Sequence, residues 1–278
     1  MILDTRINAT TANRQIDSSV ASLTDGSFVV TWQSFGQDGS SSGIYGQRYD
    51  ANGNTLSTEF RVNTTTSNTQ ANPSVAALIN GDYVVTWRSD GQNGTGSSDI
   101  YGQRYDATGA ALGTEFRVTS SADDHTFEPS VAALTDGGFV VTWQSYDQIN
   151  DDYDIHGQRY DANGVAQGAF SITSSSTNSQ ESPSVAALSG GGFVVTWQSY
   201  DQDGSEYGIY GQSYNASSVA LGNEFLVNTE TFNDQSISSV AALTGGGVVV
   251  TWQSDQQDGD GDQNGIFGQL YNASGVAQ

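Results

Sequence analysis

VVTWQS at 29–34 reads as one short strand, and it returns as VVTWRS at 84–89 and as VVTWQS at 140–145, 194–199 and 249–254. Its tryptophans, Trp32, Trp87, Trp143, Trp197 and Trp252, are all five Trp of the chain and stand 55, 56, 54 and 55 residues apart. Five such steps fill nearly all 278 residues and leave little for a separate domain. No segment has a helical period, so the unit being repeated is a β unit.

Each repeat reads as four strands. In the second, strand a is 73–79 (PSVAALI), and the tight turn Asn80-Gly81 leads to strand b at 82–89 (DYVVTWRS). A long polar loop reaches strand c at 99–106 (DIYGQRYD), and a turn with Gly109 precedes strand d at 114–119 (TEFRVT). Runs rich in Val, Tyr, Phe, Trp and Thr between Gly, Asn and Asp are the expected strand signal. In strand b, Phe28, Val30 and Trp32 share one face, and Val29, Thr31 and Gln33 share the other. Both faces carry apolar residues, so this strand is covered on both sides. A small four-stranded sheet covered on both faces by copies of itself is a propeller blade. The expected fold is an all-β, five-bladed propeller with four antiparallel strands per blade. The repeats run at about 9–63, 64–119, 120–173, 174–228 and 229–278 of one domain. Residues 3–8 (LDTRIN) match strand d elsewhere, TEFRVN at 58–63 and NEFLVN at 223–228, and the last repeat stops at Val276-Ala277-Gln278, before its own strand d. The N-terminal strand (residues 3–8) is therefore expected to complete the last blade and remove its open edge.

Composition removes several function classes. There is no Cys, so no disulfide, thiolate metal site or cysteine nucleophile exists. Net charge is −23, with eight Arg and no Lys. Such a surface repels nucleic acid and anionic membranes. No apolar run approaches a membrane span, and no signal-peptide pattern opens the chain. Two His leave little for histidine acid–base work. There is no HExxH, P-loop or dinucleotide fingerprint. Gly39-Ser40-Ser41-Ser42-Gly43 matches GxSxG but lies in a loop with no helix after it, so it makes no nucleophile elbow.

In an antiparallel blade the b–c loops and d–a connections emerge at one end, and the a–b and c–d turns at the other. The five b–c loops, 35–43, 90–99, 146–154, 200–208 and 255–265, hold 14 of the 31 acidic residues and no Arg. Long polar loops on a rigid scaffold are where binding residues gather, and the turn end reads as structural. For a metal the candidates are Asp258, Asp260, Asp262 and Asn264, with Asp201 and Asp203 as a second set. Alternating oxygen donors separated by glycine suit Ca²⁺. For a ligand the candidates are Gln47, Gln103, Gln158, Gln212 and Gln269, one mid-strand amide per repeat. Such an amide either bonds neighbouring backbone or forms a repeated ligand contact. Arg48, Arg104 and Arg159 follow these glutamines directly, but Ser213 and Leu270 replace them in the last two repeats.

VVTWQS followed by IYGQRYDANG and EFRVN resembles the tandem β-propeller repeats of large secreted or surface bacterial proteins, which often carry RTX-type or cadherin-like modules. The resemblance covers all five repeats and implies an extracellular or cell-surface location, adhesion and calcium dependence. The calcium-binding nonapeptide of RTX repeats is absent here. Three functions follow in order. The first is a non-enzymatic, lectin-like module that binds carbohydrate or another cell-surface ligand on the acidic end, with Ca²⁺, as a monomer or as part of a larger chain. The second is a spacer with no ligand. The third is a glycosidase, which needs unlike carboxylates on the innermost strands. Strand a, read as SVASL once and SVAAL four times, carries none and argues against an enzyme.

Overall fold

A computed structural model describes residues 5–120, 125–173, 178–255, 257 and 264–278. Among these it contains nineteen strands and no helix. The first repeat supplies β1 (Gln15–Ser22), β2 (Phe28–Phe35), β3 (Ser42–Tyr49) and β4 (Phe60–Arg61), and the second β5 (Gln70–Ala77), β6 (Tyr83–Asp90), β7 (Ser98–Tyr105) and β8 (Ala111–Arg117). The third gives β9 (His125–Ala133), β10 (Phe139–Asp147), β11 (Asp152–Tyr160) and β12 (Ala166–Ser171). The fourth gives β13 (Gln180–Ala187), β14 (Phe193–Tyr200), β15 (Tyr207–Tyr214) and β16 (Ala220–Leu226), and the fifth β17 (Gln235–Ala242), β18 (Val248–Asp255) and β19 (Asn264–Tyr271). Within every sheet the strands lie in sequence order, and four sheets have four strands and the last has three. This is the five-bladed propeller, with its blades antiparallel. The chain divides into two compact units, residues 1–129 and 130–278.

Strand b is the spine of each sheet, because it pairs with strand a on one side and strand c on the other. Its two faces are filled differently. In the first unit, Val29 and Ile44 of the first sheet pack against Val75, Val85 and Trp87 of the second. In the second unit, Val140 and Ile155 meet Val195 and Trp197, and Val194 and Ile209 meet Val250 and Trp252. Each of these indoles thus lies against the valine and isoleucine of the preceding sheet. Trp87 and Trp197 are fully buried. Burial of an aromatic this large dominates the packing of its interface.

The glycine inside IYGQRY has a steric cause. Gly46, Gly102, Gly157 and Gly211 sit directly opposite Phe60, Phe116, Phe170 and Phe225 of strand d. A Cβ at Gly102 would lie 2.7 Å from the Phe116 ring, and one at Gly157 2.6 Å from Phe170. The ring of strand d lies over the bare backbone and packs against the tyrosine of the next sheet, as in Phe60–Tyr105, Phe170–Tyr214 and Phe225–Tyr271. Among the described residues no such ring lies over Gly268 of β19, where an added Cβ would meet the Val250 carbonyl and the Thr251 methyl at 3.2 and 3.3 Å.

Two expectations are corrected. Strand a is longer than the SVAAL core, since it begins at residues such as Gln15, Gln70 and Gln180. A β-bulge hides its first part from the alternating pattern: pairing shifts between Ile16 and Ser19, Ala71 and Ser74, Glu181 and Ser184, and Ser236 and Ser239. At these bulges Asp17, Asn72, Ser182 and Ile237 hold φ between 52 and 54°, and Glu128 of β9 holds 51°. An extra residue bends the strand there and re-aims its side chains. The innermost strands therefore do carry carboxylates, Asp17, Glu128 and Glu181. The second correction concerns residues 3–8. Leu3 and Asp4 lie outside the described residues, 5–8 form no strand, and the last sheet has three strands. Residues 5–8 are held through contacts with the first sheet. Ile7 packs against Val30, Trp32, Tyr45 and Tyr49, and the Tyr49 hydroxyl donates to the Ile7 carbonyl at 2.7 Å. Tyr105 and Tyr214 treat Val62 and Ile172, the ends of true d segments, in the same way.

The Gly–Phe contact gives a paired test. Gly102→Ala drives a methyl group into the Phe116 ring and is expected to destabilise the chain by about 1–3 kcal/mol. Gly268→Ala meets tight neighbours at 3.2 and 3.3 Å but no ring inside 3 Å, and is expected to cost less. Melting curves of both variants check the order, and equal losses would contradict it.

Candidate functional site

Strand a starts where strand b ends, as the pairs Gln70↔Ser89, Gln180↔Ser199 and Gln235↔Ser254 record. The bulges, b–c loops and d–a connections therefore share one end of each sheet. A hydrogen-bonded knot ties them together. The Asn63 carboxamide accepts the Ile44 N–H at 2.7 Å and donates to the Thr65 carbonyl at 2.7 Å and to Gln70 Oε1 at 3.1 Å. Asn228 repeats this with Ile209, Glu230 and Gln235.

Beside the knot, each of the first four repeats keeps one carboxylate at the head of strand c, drawn from two different sequence positions. In the first and fourth it is a loop residue, Asp38 or Asp203, set over Gly43 or Gly208. A Cβ on those glycines would lie 2.7 and 2.6 Å from the carboxylate oxygen. In the second it is the strand residue Asp99, and the loop position becomes Asn93, whose amide donates to it. Thr119 replaces the knot's asparagine and donates to Asp99 at 2.7 Å, while Arg117 supplies a guanidinium at 2.7 Å. In the third, Thr173 donates to Asp154 at 3.1 Å. Asp–Gly–Asn and Asn–Asp–Thr are thus two side-chain solutions for one slot. Asp38 Oδ2 and Asp203 Oδ2 are sealed from solvent without a hydrogen-bond partner.

Of the sequence-predicted metal residues, Asp258, Asp260 and Asp262 lie outside the described residues. Asn264 is exposed at the start of β19. Asp201 is exposed at φ 55°, and Asp203 accepts the Ser205 N–H at 3.2 Å through its other oxygen. Among the described residues no three His, Asp or Glu side chains gather as a metal-binding group. The glutamines sit between strands c and d and face the chain itself. Gln47 donates to the Ser57 carbonyl at 3.0 Å, and Gln103, Gln158 and Gln212 donate to Arg104, Arg159 and Ser213 carbonyls at 2.8 Å. These four are buried, while half-buried Gln269 donates to the Leu270 carbonyl at 2.9 Å. Their donors serve the irregular c–d pairing, where the ladder is interrupted.

Two tyrosine pairs flank b–c loops without any repeat-wide pattern to mark them. Tyr200 and Tyr207 flank the fourth b–c loop edge to face, with centroids 5.2 Å apart, and Tyr146 and Tyr153 flank the third at 5.2 Å. The Tyr207 hydroxyl donates to Glu181 Oε1 at 3.1 Å, and Gln198 Nε2 donates to Glu181 Oε2 at 3.3 Å. Asp234 accepts the Tyr207 N–H at 3.2 Å. Burial, with Glu181 beside it, raises the Tyr207 pKa, so the hydroxyl stays a donor. Tyr200 keeps 45% of its surface exposed beside this group. The signal lay in symmetry: these places hold Phe35 and Ser42 in the first repeat and Asp90 and Ser98 in the second.

The third loop is electrostatically strained. Asp152 is buried, and burial, followed by the charges of Asp154, Asp147 and Asp151, raises its pKa. A carboxylate whose folded pKa is raised costs stability while ionised, and that cost fades as pH falls through the raised value. Asp152→Asn is therefore expected to raise the melting temperature at pH 7, with the gain shrinking as pH falls and gone below about pH 3, where the carboxyl is protonated in the folded and the unfolded chain alike. A lower melting temperature at pH 7 would contradict this.

No family model and no curated protein matches the chain. Solved structures do match in fold. A Dyadobacter fermentans protein of unknown function aligns at TM-score 0.66 and 13% identity, over 95% of this chain and 78% of its own. The GH93 α-L-arabinofuranosidase of Fusarium graminearum, in complex with arabinobiose, aligns at 0.62 and 13%, over 94% and 83%. The Penicillium chrysogenum α-L-arabinanase, also with arabinobiose, aligns at 0.61 and 16%, over 90% and 80%. At these identities the likeness concerns the fold, which this chain shares with glycoside hydrolases.

Proposed function

We propose that the chain is a non-enzymatic, extracellular binding module that takes carbohydrate on the b–c and d–a end of its blades, assisted by Ca²⁺. The observation that carries this reading is the fourth-blade group of Tyr200, Tyr207, Gln198 and Glu181. A half-exposed ring stacks on the apolar face of a sugar, and fixed carboxylate and amide groups take its hydroxyls. Fold neighbours that hold arabinobiose support the ligand class. The sealed Oδ2 of Asp203 supports the cation, because a carboxylate oxygen buried without a partner is costly until one arrives. A glycan array run with and without Ca²⁺ tests the proposal. Saccharide binding that falls at least tenfold in Tyr200→Ala is expected, and silence on every glycan in both conditions would end it. A melt in Ca²⁺ against EDTA tests the cation, since saturation at 100 times its Kd stabilises by about 2.7 kcal/mol. No shift would remove calcium from the proposal.

A hydrolase is the second reading, and Asp17, Glu128 and Glu181 on the inner strands favour it. Activity on arabinan or another polysaccharide, abolished by Glu181→Gln, would replace the binding module with an enzyme.

A further inference from the structure

The other end of the sheets carries the a–b and c–d turns. In four blades it is filled by the chain's own side chains. The first residue of strand b lies opposite the last residue of strand c in every sheet. In four of them both are aromatic and stacked: Phe28–Tyr49, Tyr83–Tyr105, Phe139–Tyr160 and Phe193–Tyr214, with centroids 4.6–5.1 Å apart and planes within 13°. In the fifth the pair is Val248 and Tyr271, so Tyr271 lacks its stacking ring.

A second filler is missing beside it. Buried Arg48 reaches from the first blade to the second, donates to the Thr108 carbonyl at 2.6 Å, and lays its stem against Gly109. Ser213 holds this place in the fourth blade, facing the turn Asn272-Ala273-Ser274-Gly275, where Ser274 corresponds to Thr108. The acidic partners have gone as well. Arg104 pairs with Asp82 at 3.8 Å and Arg159 pairs with Asp136, whereas the corresponding a–b turns of the last two repeats are Gly190-Gly191-Gly192 and Gly245-Gly246-Gly247.

Both losses border one open cavity of 340 Å³ between the fourth and fifth sheets. Leu221, Phe225, Val248 and Tyr271 give it apolar walls, and Ser213 and Ser274 stand at its polar side. A pocket of this size and lining is in the range that holds a small ligand. We propose that it is a binding site for an uncharged hydroxylated aromatic molecule. Its ring would stack on Tyr271 where the other blades place their own phenyl group, and its hydroxyl would donate to the carbonyl that corresponds to the one Arg48 uses. The absence of both the arginine and its acidic partner from the walls selects against charge. This site is independent of the saccharide-binding end.

A methyl NMR titration of the full chain with phenol tests it. Saturable ring-current shifts at the Val248 and Leu221 methyls are expected, with half-saturation on the order of 1 mM. Benzoate should bind at least tenfold more weakly. Val248→Phe restores the missing ring and should abolish phenol binding while raising the melting temperature by roughly 2–4 °C. Ser213→Arg refills the second gap without touching strand b and should also abolish binding, so it decides the matter if Val248→Phe does not fold. Absence of saturable shifts at these methyls at ten times the expected concentration would overturn the proposal. So would Ser213→Arg binding phenol as the native chain does.

Discussion

A strand that must be covered on both faces sets the rest of this structure. VVTWQS cannot lie at a sheet surface, because Val30 and Trp32 point one way and Val29 the other. Within each unit the answer is the same: the indole of one sheet seals against valine and isoleucine of the sheet before it. Once b is central, a and c must flank it, and d adds to the sealed face by laying a phenylalanine ring over the glycine of c. The hydrophobic term acts through these sealed faces, and the polar loops are left to vary.

The variation has rules. Side chains change in sets that preserve one local function. A carboxylate at the head of strand c comes from the loop when Gly43 or Gly208 leaves room, and from the strand when Thr119 or Thr173 does. On the turn end, the arginine of strand c and the acid of the a–b turn are lost together in the last two repeats. Where a filler has no replacement, as at Val248 and Ser213, a cavity opens. Repeats that are equal in the core and unequal at the ends are suited to presenting different chemistry from one scaffold.

The core was legible because its period is long and its tryptophans are few. Both faces of strand b, the tight Asn80-Gly81 turn and the sharing of one end by the b–c and d–a segments could be read directly. The first residues of strand a could not. A bulge adds one residue, breaks the alternation, and puts Asp17 and Ser182 at positive φ, as Glu128 also is, so an inner strand with carboxylates has the pattern of a polar loop. Nor could Tyr200 and Tyr207 be picked out, since a loop-flanking tyrosine carries no period and gains meaning only from Glu181, nineteen residues before Tyr200 and drawn close by the sheet. The recurring glutamines bond backbone between strands c and d, one of the two roles their repetition allows.

Amide hydrogen exchange, resolved by peptide, tests this account most directly. If a doubly covered strand b is the spine of every blade, the five segments 29–34, 84–89, 140–145, 194–199 and 249–254 exchange most slowly, and together. The outer segments 111–117, 166–171 and 220–226 exchange well before them. One VVTWQS segment exchanging as fast as an outer strand would contradict the central claim, because that strand would then be an edge.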